Sequence, residues 1–405
     1  MNRTFYIVLT AQFLSALADN ALLFAAIGLL MFYGAPEWHQ PLLQESFVLP
    51  YIVLAPFVGS FADALPKGRV MFLGNALKCL GCVAMLMSVP PLAAYAVVGI
   101  GAAIYSPAKY GILTEILPPK HLVAANGWME GTTVAAIVLG AMIGGVLINA
   151  HTASLGLASL GVTRIVAPPM FAIGTITGLY LLAAIVNLFI PQVPIDHKLL
   201  SRKPAFVVYD FWHSFTLLWK DPLGQISLAV TTLFWGVGAT LRQLIIPWAA
   251  FNLAYGLDRA TQMTGLVAFG IAIGAAIAGK LVRLEQSVKV IPASIAIGFV
   301  PIAMIWVHDV TLANTILVLA GILSGFFVVP MNALLQHRGH LIMGAGHSIA
   351  VQNFNENIGI MLLIGAYTLM IKAELHIHAV MLIFGLFISI VMTGLWKRHR
   401  SDIVH

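Results

Sequence analysis

Charge is scarce in this sequence. Only 9% of its 405 residues are Asp, Glu, Lys or Arg, whereas 60% are hydrophobic, and the mean hydropathy is +0.95. So little polar material cannot cover a water-soluble globule of this length, which makes a soluble enzyme a poor starting point. Cysteine is almost missing as well. Cys79 and Cys82 stand alone, so no disulfide framework is implied. Their C-x-x-C spacing lies inside an apolar run with no second Cys or His pair at metal-ligand spacing, so both read as packing residues and no metal site is expected. No phosphate-cradling P-loop occurs, which argues against direct use of ATP, and no cofactor is expected. The thirteen histidines show no H-E-x-x-H spacing and fall mostly in expected loops, as do His337, His340 and His347. An intramembrane lipid-modifying enzyme would need a nucleophile beside a base, or a metal cluster, and neither pattern is present. The first apolar stretch, 4–32, has no small-residue cleavage site after a short core and reads as a retained first span.

What the chain has in abundance is apolar length. A hydrocarbon core of about 30 Å takes roughly 20 helical residues to cross. Twelve stretches reach that scale: 4–32, 42–64, 70–89, 92–117, 122–150, 170–190, 226–253, 260–284, 288–306, 310–336, 346–371 and 379–396. The expected fold is therefore an all-α membrane protein of twelve transmembrane helices. The formal net charge of +6 sits in the loops and not on one face, which favours a membrane surface over nucleic acid as the partner. Alternate loops differ in Lys and Arg. One side carries Arg3, Lys67, Arg69, Lys120, the basic residues of 198–220, Lys280, Arg283, Lys289, Arg338 and the basic residues of 397–400; the other carries Arg164, Arg259 and Lys372. The positive-inside rule then puts both termini in the cytoplasm.

The longest polar connection, 192–225, divides the chain into an amino-terminal half, 1–191, and a carboxy-terminal half, 226–405. Within it Phe211, Phe215, Leu218 and Trp219 recur at helical spacing beside Lys220, the pattern of an amphipathic helix on the cytoplasmic interface. The halves echo one another. Pro107 and Lys109 precede a basic loop and the Asn126, Glu130 pair, just as Pro330 and Asn332 precede a basic loop and the Asn353, Glu356 pair. Two pseudo-symmetric six-helix bundles with a substrate site near the midplane are the natural reading.

Ionisable groups inside the spans carry the chemistry, because each costs several kcal/mol, as an order of magnitude, unless paired or hydrated. They are Asp19, Lys78, Lys109, Glu130, Arg242 and Glu356. Counting about 1.5 Å per residue puts Asp19 and Arg242 roughly 24 to 27 Å along their helices, in the periplasmic half, where they are expected to meet in at least one state. The same count sets Lys78, Lys109, Glu130 and Glu356 in a second, cytoplasmic layer. Two such layers suit alternating access; fixed ion pairs that merely join helices are the alternative for each. Asn20, Gln352, Asn353, Asn355 and Asn357 add amides that cannot face lipid unsatisfied. Gly140, Gly144, Gly270 and Gly274 suit close helix packing.

Between the second and third spans, Gly59, Asp63, Gly68 and Arg69 resemble the loop signature of the major facilitator superfamily, whose acidic residue caps and pairs across the cytoplasmic seam. The spacing departs from the usual form, with four residues between Asp63 and Gly68 and with Ala64 where a basic residue is usual. Longer stretches resemble the lysophospholipid transporter family of that superfamily: Ala11-Gln12-Phe13-Leu14-Ser15-Ala16, Asp19-Asn20-Ala21-Leu22-Leu23-Phe24, Tyr105-Ser106-Pro107-Ala108-Lys109-Tyr110-Gly111, Thr240-Leu241-Arg242 and Ala350-Val351-Gln352-Asn353. The connection at 151–169 is longer than the family leads one to expect. The resemblance implies the major facilitator fold. It also implies flipping of lysophosphatidylethanolamine, lysophosphatidylglycerol and related lysolipids from the periplasmic to the cytoplasmic leaflet of a bacterial inner membrane, with a membrane acyltransferase that has acyl-carrier-protein synthetase activity as functional partner. By the same resemblance Asp19, Lys109 and Arg242 carry over as functional charges, and Glu130 and Glu356 with them. A carrier for a small polar or zwitterionic solute or drug would suit the same charges.

Overall fold

The computed structural model describes residues 2–36, 39–149, 154, 167–192, 203–255 and 257–398. Among them are fourteen α-helices, here α1 (Arg3–Phe32), α2 (His39–Val53), α3 (Ala55–Ala64), α4 (Lys67–Leu86), α5 (Pro91–Ile116), α6 (Leu122–Leu147), α7 (Pro168–Leu188), α8 (Pro204–Lys220), α9 (Pro222–Leu253), α10 (Leu257–Leu281), α11 (Ile291–Met304), α12 (Val310–Ile342), α13 (Ala345–Lys372) and α14 (Ile377–Arg398). Ten of them are long and apolar enough to cross a membrane, the 3-10 turn Leu284–Val290 continued by α11 makes an eleventh such span, and the bent pair α2 and α3 a twelfth. The expected connection at 151–169 lies largely outside the described residues, as do Arg164, Lys198, Arg202 and Arg400.

The second span is corrected from one helix over 42–64 to two, bent by 64°. Proline explains the break. Pro56 stands in the first turn of α3 and has no N–H to offer the preceding turn, and Pro50 already interrupts α2. A second correction concerns His337 and His340, which lie in α12 and not in a loop, while His347 lies in the first turn of α13. Nothing in 337–342 stops a helix. Gly344, at φ +102°, makes the turn.

Contacts group the chain into two compact units. The first comprises Met1–Leu117, Ala135–His213 and Met343–Val351; the second comprises Pro118–Val134, Ser214–Ile342 and Gln352–His405. In lipid, apolar burial gives helices little reason to associate, so small residues that allow close van der Waals approach matter more. In the first unit α4 and α5 cross at Gly74 and Gly101, where a Cβ on Gly74 would lie 2.8 Å from the Gly101 carbonyl oxygen. Gly140 and Gly144 of α6 meet the backbone of α1 at Leu17 and Ala21. In the second unit Gly270 and Gly274 of α10 interlock with Gly321 and Gly325 of α12. A methyl group at such a crossing would overpack it at a cost of about 1–3 kcal/mol. Cys79 and Cys82 are buried and unbridged in the first unit, in a core with Leu22, Leu29, Tyr95 and Tyr180.

Candidate functional site

Among the described residues the first unit holds two charge clusters of different construction. One is built on Asp19, in the middle of α1. Lys78 of α4 donates to Asp19 Oδ2 at 2.8 Å, and the hydroxyl of Tyr180 on α7 donates to Oδ1 at 2.7 Å. The lysine also donates to Ser15 Oγ at 3.0 Å, and Ser15 donates to Asn75 Oδ1 at 2.7 Å. The rings of Tyr105 and Tyr180 flank the ammonium, with centroids 5.0 and 5.5 Å away. Lys78 is 1% exposed, but the Asp19 side chain is 24% exposed. An ionised carboxylate offers about four acceptor positions. These two bonds use two of them, so Asp19 retains accepting capacity on an accessible side chain. It is a carboxylate that can take another donor.

The other cluster is built on Asp63, at the end of α3. Oδ1 accepts from Lys67 Nζ and from the Gly346 amide, both at 2.8 Å. Oδ2 accepts from the His347 amide at 2.9 Å and from His347 Nδ1 at 2.7 Å. All four acceptor positions are filled and the side chain is 4% exposed. Asp63 thus satisfies the opening amides of α13, where a helix amino terminus favours negative charge. The other ring nitrogen of His347 stands 3.0 Å from Asp210 Oδ2 on α8 and 2.9 Å from Ser60 Oγ. A ring whose two nitrogens both face carboxylate oxygens must donate from both, so this geometry assigns the imidazolium. Lys67 also pairs with Glu115 at 2.9 Å. The hydrogen bond from His347 holds the Asp210 carboxyl below its ordinary range. Of the signature residues, Gly59 allows close approach to the His347 backbone, where a Cβ would lie 3.0 Å from Cα, and Gly68 packs against Ile190; Arg69 is exposed.

In the second unit buried amides join two carboxylates. Gln352 Nε2 donates to Glu356 Oε1 at 2.7 Å and to Asn332 Oδ1 at 2.9 Å, and Asn332 Nδ2 approaches Glu130 Oε1 at 3.4 Å. Asn126 and Gln336 exchange amide hydrogen bonds of 2.9 and 2.8 Å. Asp221 caps α9 through the Gly224 amide and binds the Arg338 guanidinium in bidentate fashion. Burial opposes ionisation of Asp221, but the Arg338 and Gly224 donors together hold its carboxyl below the ordinary range.

The depth count for Lys78 is corrected. The count sets it apart from Asp19, but the two side chains pair at 2.8 Å, because a four-carbon stem carries the ammonium several ångströms, as an order of magnitude, from its own backbone position. Asp19 takes Lys78 as its ion-pair partner, while Arg242 of α9 carries an exposed side chain in the second unit. Lys109 lies 4.3 Å from the centroid of its neighbour Tyr110. Asn20 donates to Ala16 O of its own helix at 2.8 Å, and Asn353 is half-buried, its carbonyl accepting from Asn357 at 2.7 Å. Sequence reasoning missed Tyr180, Ser15 and Asn75 beside Asp19, and Lys67, Glu115, Asp210 and His347 beside Asp63. The sequence offered one signal for the first set, polar side chains in otherwise apolar spans.

A model of the Major Facilitator Superfamily matches residues 8–364. Solved structures agree on the fold at low identity. A bacterial homologue of the iron transporter ferroportin, outward-facing, has a TM-score of 0.73 at 16% identity over 99% of this chain and 100% of that one. The transporter FucP in its outward conformation has a TM-score of 0.73 at 14% identity over 97% and 98%. The chain belongs to the Major Facilitator Superfamily of transporters, as a multi-pass membrane protein. Within it the chain is similar to the lysophospholipid transporter LplT of Enterobacter sp. (strain 638), 44% identical over 97% of this chain and 95% of that one. It is likewise similar to LplT of Yersinia pestis (strain Pestoides F), 43% identical over 94% and 90%.

Proposed function

We propose that this chain moves lysophospholipids, among them lysophosphatidylethanolamine and lysophosphatidylglycerol, from the periplasmic to the cytoplasmic leaflet of a bacterial inner membrane by alternating access. The observation that carries the reading is similarity at 43–44% identity along nearly the whole chain to transporters of that name. The local chemistry supports it. Asp19 can accept a further donor such as the ammonium of an ethanolamine headgroup through a charge-assisted hydrogen bond. Arg242 and Lys109 supply positive charge for the phosphate, and Asn20, Glu130, Gln352, Asn353 and Glu356 complete the polar path. The division of labour is between bundles 1–191 and 226–405, joined by the cytoplasmic linker 192–225, with both termini cytoplasmic. The product is re-acylated by a membrane acyltransferase.

The test supplies labelled lysophosphatidylethanolamine outside cells that lack their own transporter but retain the acyltransferase. Label enters diacyl lipid only when this chain is produced; no conversion at a confirmed membrane level of the protein contradicts the reading. A labelled diacyl lipid in reconstituted vesicles is not moved, and equal movement of both classes would indicate a scramblase instead.

A further inference from the structure

The Asp19 cluster contains a cation that no substrate can reach. Lys78 is 1% exposed, enclosed between the rings of Tyr105 and Tyr180, and spends two donors on Asp19 and Ser15. Its stem is accommodated by construction. Gly101 of α5 passes so close that a Cβ there would lie 2.9 Å from Lys78 Cγ and 3.0 Å from its backbone nitrogen. The lysine is thus buried and bonded where no headgroup reaches it in this structure, yet it places its ammonium 2.8 Å from the one accessible carboxylate of this cluster. At that separation, and out of bulk water, the pair acts on a ligand at longer range as a dipole and not as a negative charge.

We propose that Lys78 is a specificity-determining positioning residue: by neutralising Asp19 from behind, it lets the site take headgroups of different net charge. The Asp19 oxygens still accept hydrogen bonds, and an ammonium or a hydroxyl serves equally well as donor. The anionic phosphate that every lysophospholipid carries is not repelled. With Lys78 lost, the same carboxylate presents an uncompensated negative charge. It then favours a headgroup with its own cation, such as zwitterionic phosphoethanolamine, over one whose net charge is negative, such as phosphoglycerol. Tyr180 orients Asp19 without altering the charge, so its hydroxyl does not share this role. The inference rests on the lysolipid reading above.

The experiment measures binding of lysophosphatidylethanolamine and lysophosphatidylglycerol to the purified full chain in lipid nanodiscs. In the unaltered protein the two affinities fall within about threefold of each other. Preference for the ethanolamine headgroup by more than tenfold in that protein would overturn the proposal without any variant. In Lys78→Met the ratio of affinities moves at least tenfold toward ethanolamine, and Lys78→Arg moves it less. Tyr180→Phe weakens both ligands together and leaves the ratio in place. An unchanged ratio in folded Lys78→Met, or the same shift in Tyr180→Phe, would make Lys78 a packing element only. Failure of the unaltered protein to bind either lipid would count against the lysolipid reading itself.

Discussion

Asp63 and Asp19 are both aspartates of the first unit paired with a buried lysine, yet one is closed and the other open. Asp63 has four donors, two of them backbone amides of α13, and 4% exposure. Asp19 has two side-chain donors and 24% exposure. A saturated carboxylate has nothing left to offer a ligand and its bonds hold structure; a half-saturated, accessible one is free to bind. The contrast teaches that the number of unfilled acceptor positions, and not burial or charge alone, separates a fastening from a site.

The largest expected effect breaks the closed cluster. Asp63→Ala leaves Lys67 with Glu115 and His347 with Asp210 as their remaining carboxylates and frees the first amides of α13, and removing one partner of a buried pair costs about 3–5 kcal/mol. Thermal unfolding in detergent and the amount of protein inserted in the membrane should both fall sharply; an unchanged transition would show the cluster to be dispensable. Next comes Asp19→Ala, for which uptake of labelled lysophosphatidylethanolamine should drop at least tenfold, about 1.4 kcal/mol of lost interaction, while the protein still inserts. Uptake at the unaltered level would remove Asp19 from the mechanism.

His347→Gln sharpens the comparison at intermediate size. It keeps the backbone amide that reaches Asp63 but removes the imidazolium between two carboxylates, and should cost about 1–3 kcal/mol of stability with little change in lysolipid affinity. A large loss of affinity with no loss of stability would invert the two roles. The smallest effect concerns Asp210. Its carboxyl titrates below the usual value in the folded chain, so its contribution is present above the unfolded carboxylate pKa of about 3.9 and is lost as pH falls through the lower folded value. Between pH 5 and 6, where both Asp210 and the imidazolium it faces are charged, the difference in unfolding temperature between the unaltered chain and Asp210→Asn should therefore be small and constant. A difference that grows as pH rises from 5 to 6 would contradict this assignment.

The fold was readable because twelve apolar stretches of membrane length state it directly, and the misread places have local causes. Pro56 splits the second span, and the helical continuation past Gln336 hides behind residues such as His337 and Arg338 that composition assigns to a loop. Asp19 was readable as an acid where lipid forbids one. Its pairing with Lys78 was not, because residue counts fix a position along a helix but neither its tilt nor the reach of a lysine stem. The Asp63 cluster was readable at Asp63 alone: Asp210 and His347 lie 147 and 284 residues onward, and no local pattern announces that they share one ring of hydrogen bonds.

Asp19, half-saturated and accessible, is an open carboxylate of the first unit. Its most direct test is a titration of lysophosphatidylethanolamine into the purified full chain, unaltered and as Asp19→Asn, a substitution that keeps the side chain's shape and removes its charge. The expected result is a Kd weakened at least tenfold in a protein that still unfolds cooperatively. A Kd in Asp19→Asn equal to that of the unaltered chain would contradict it.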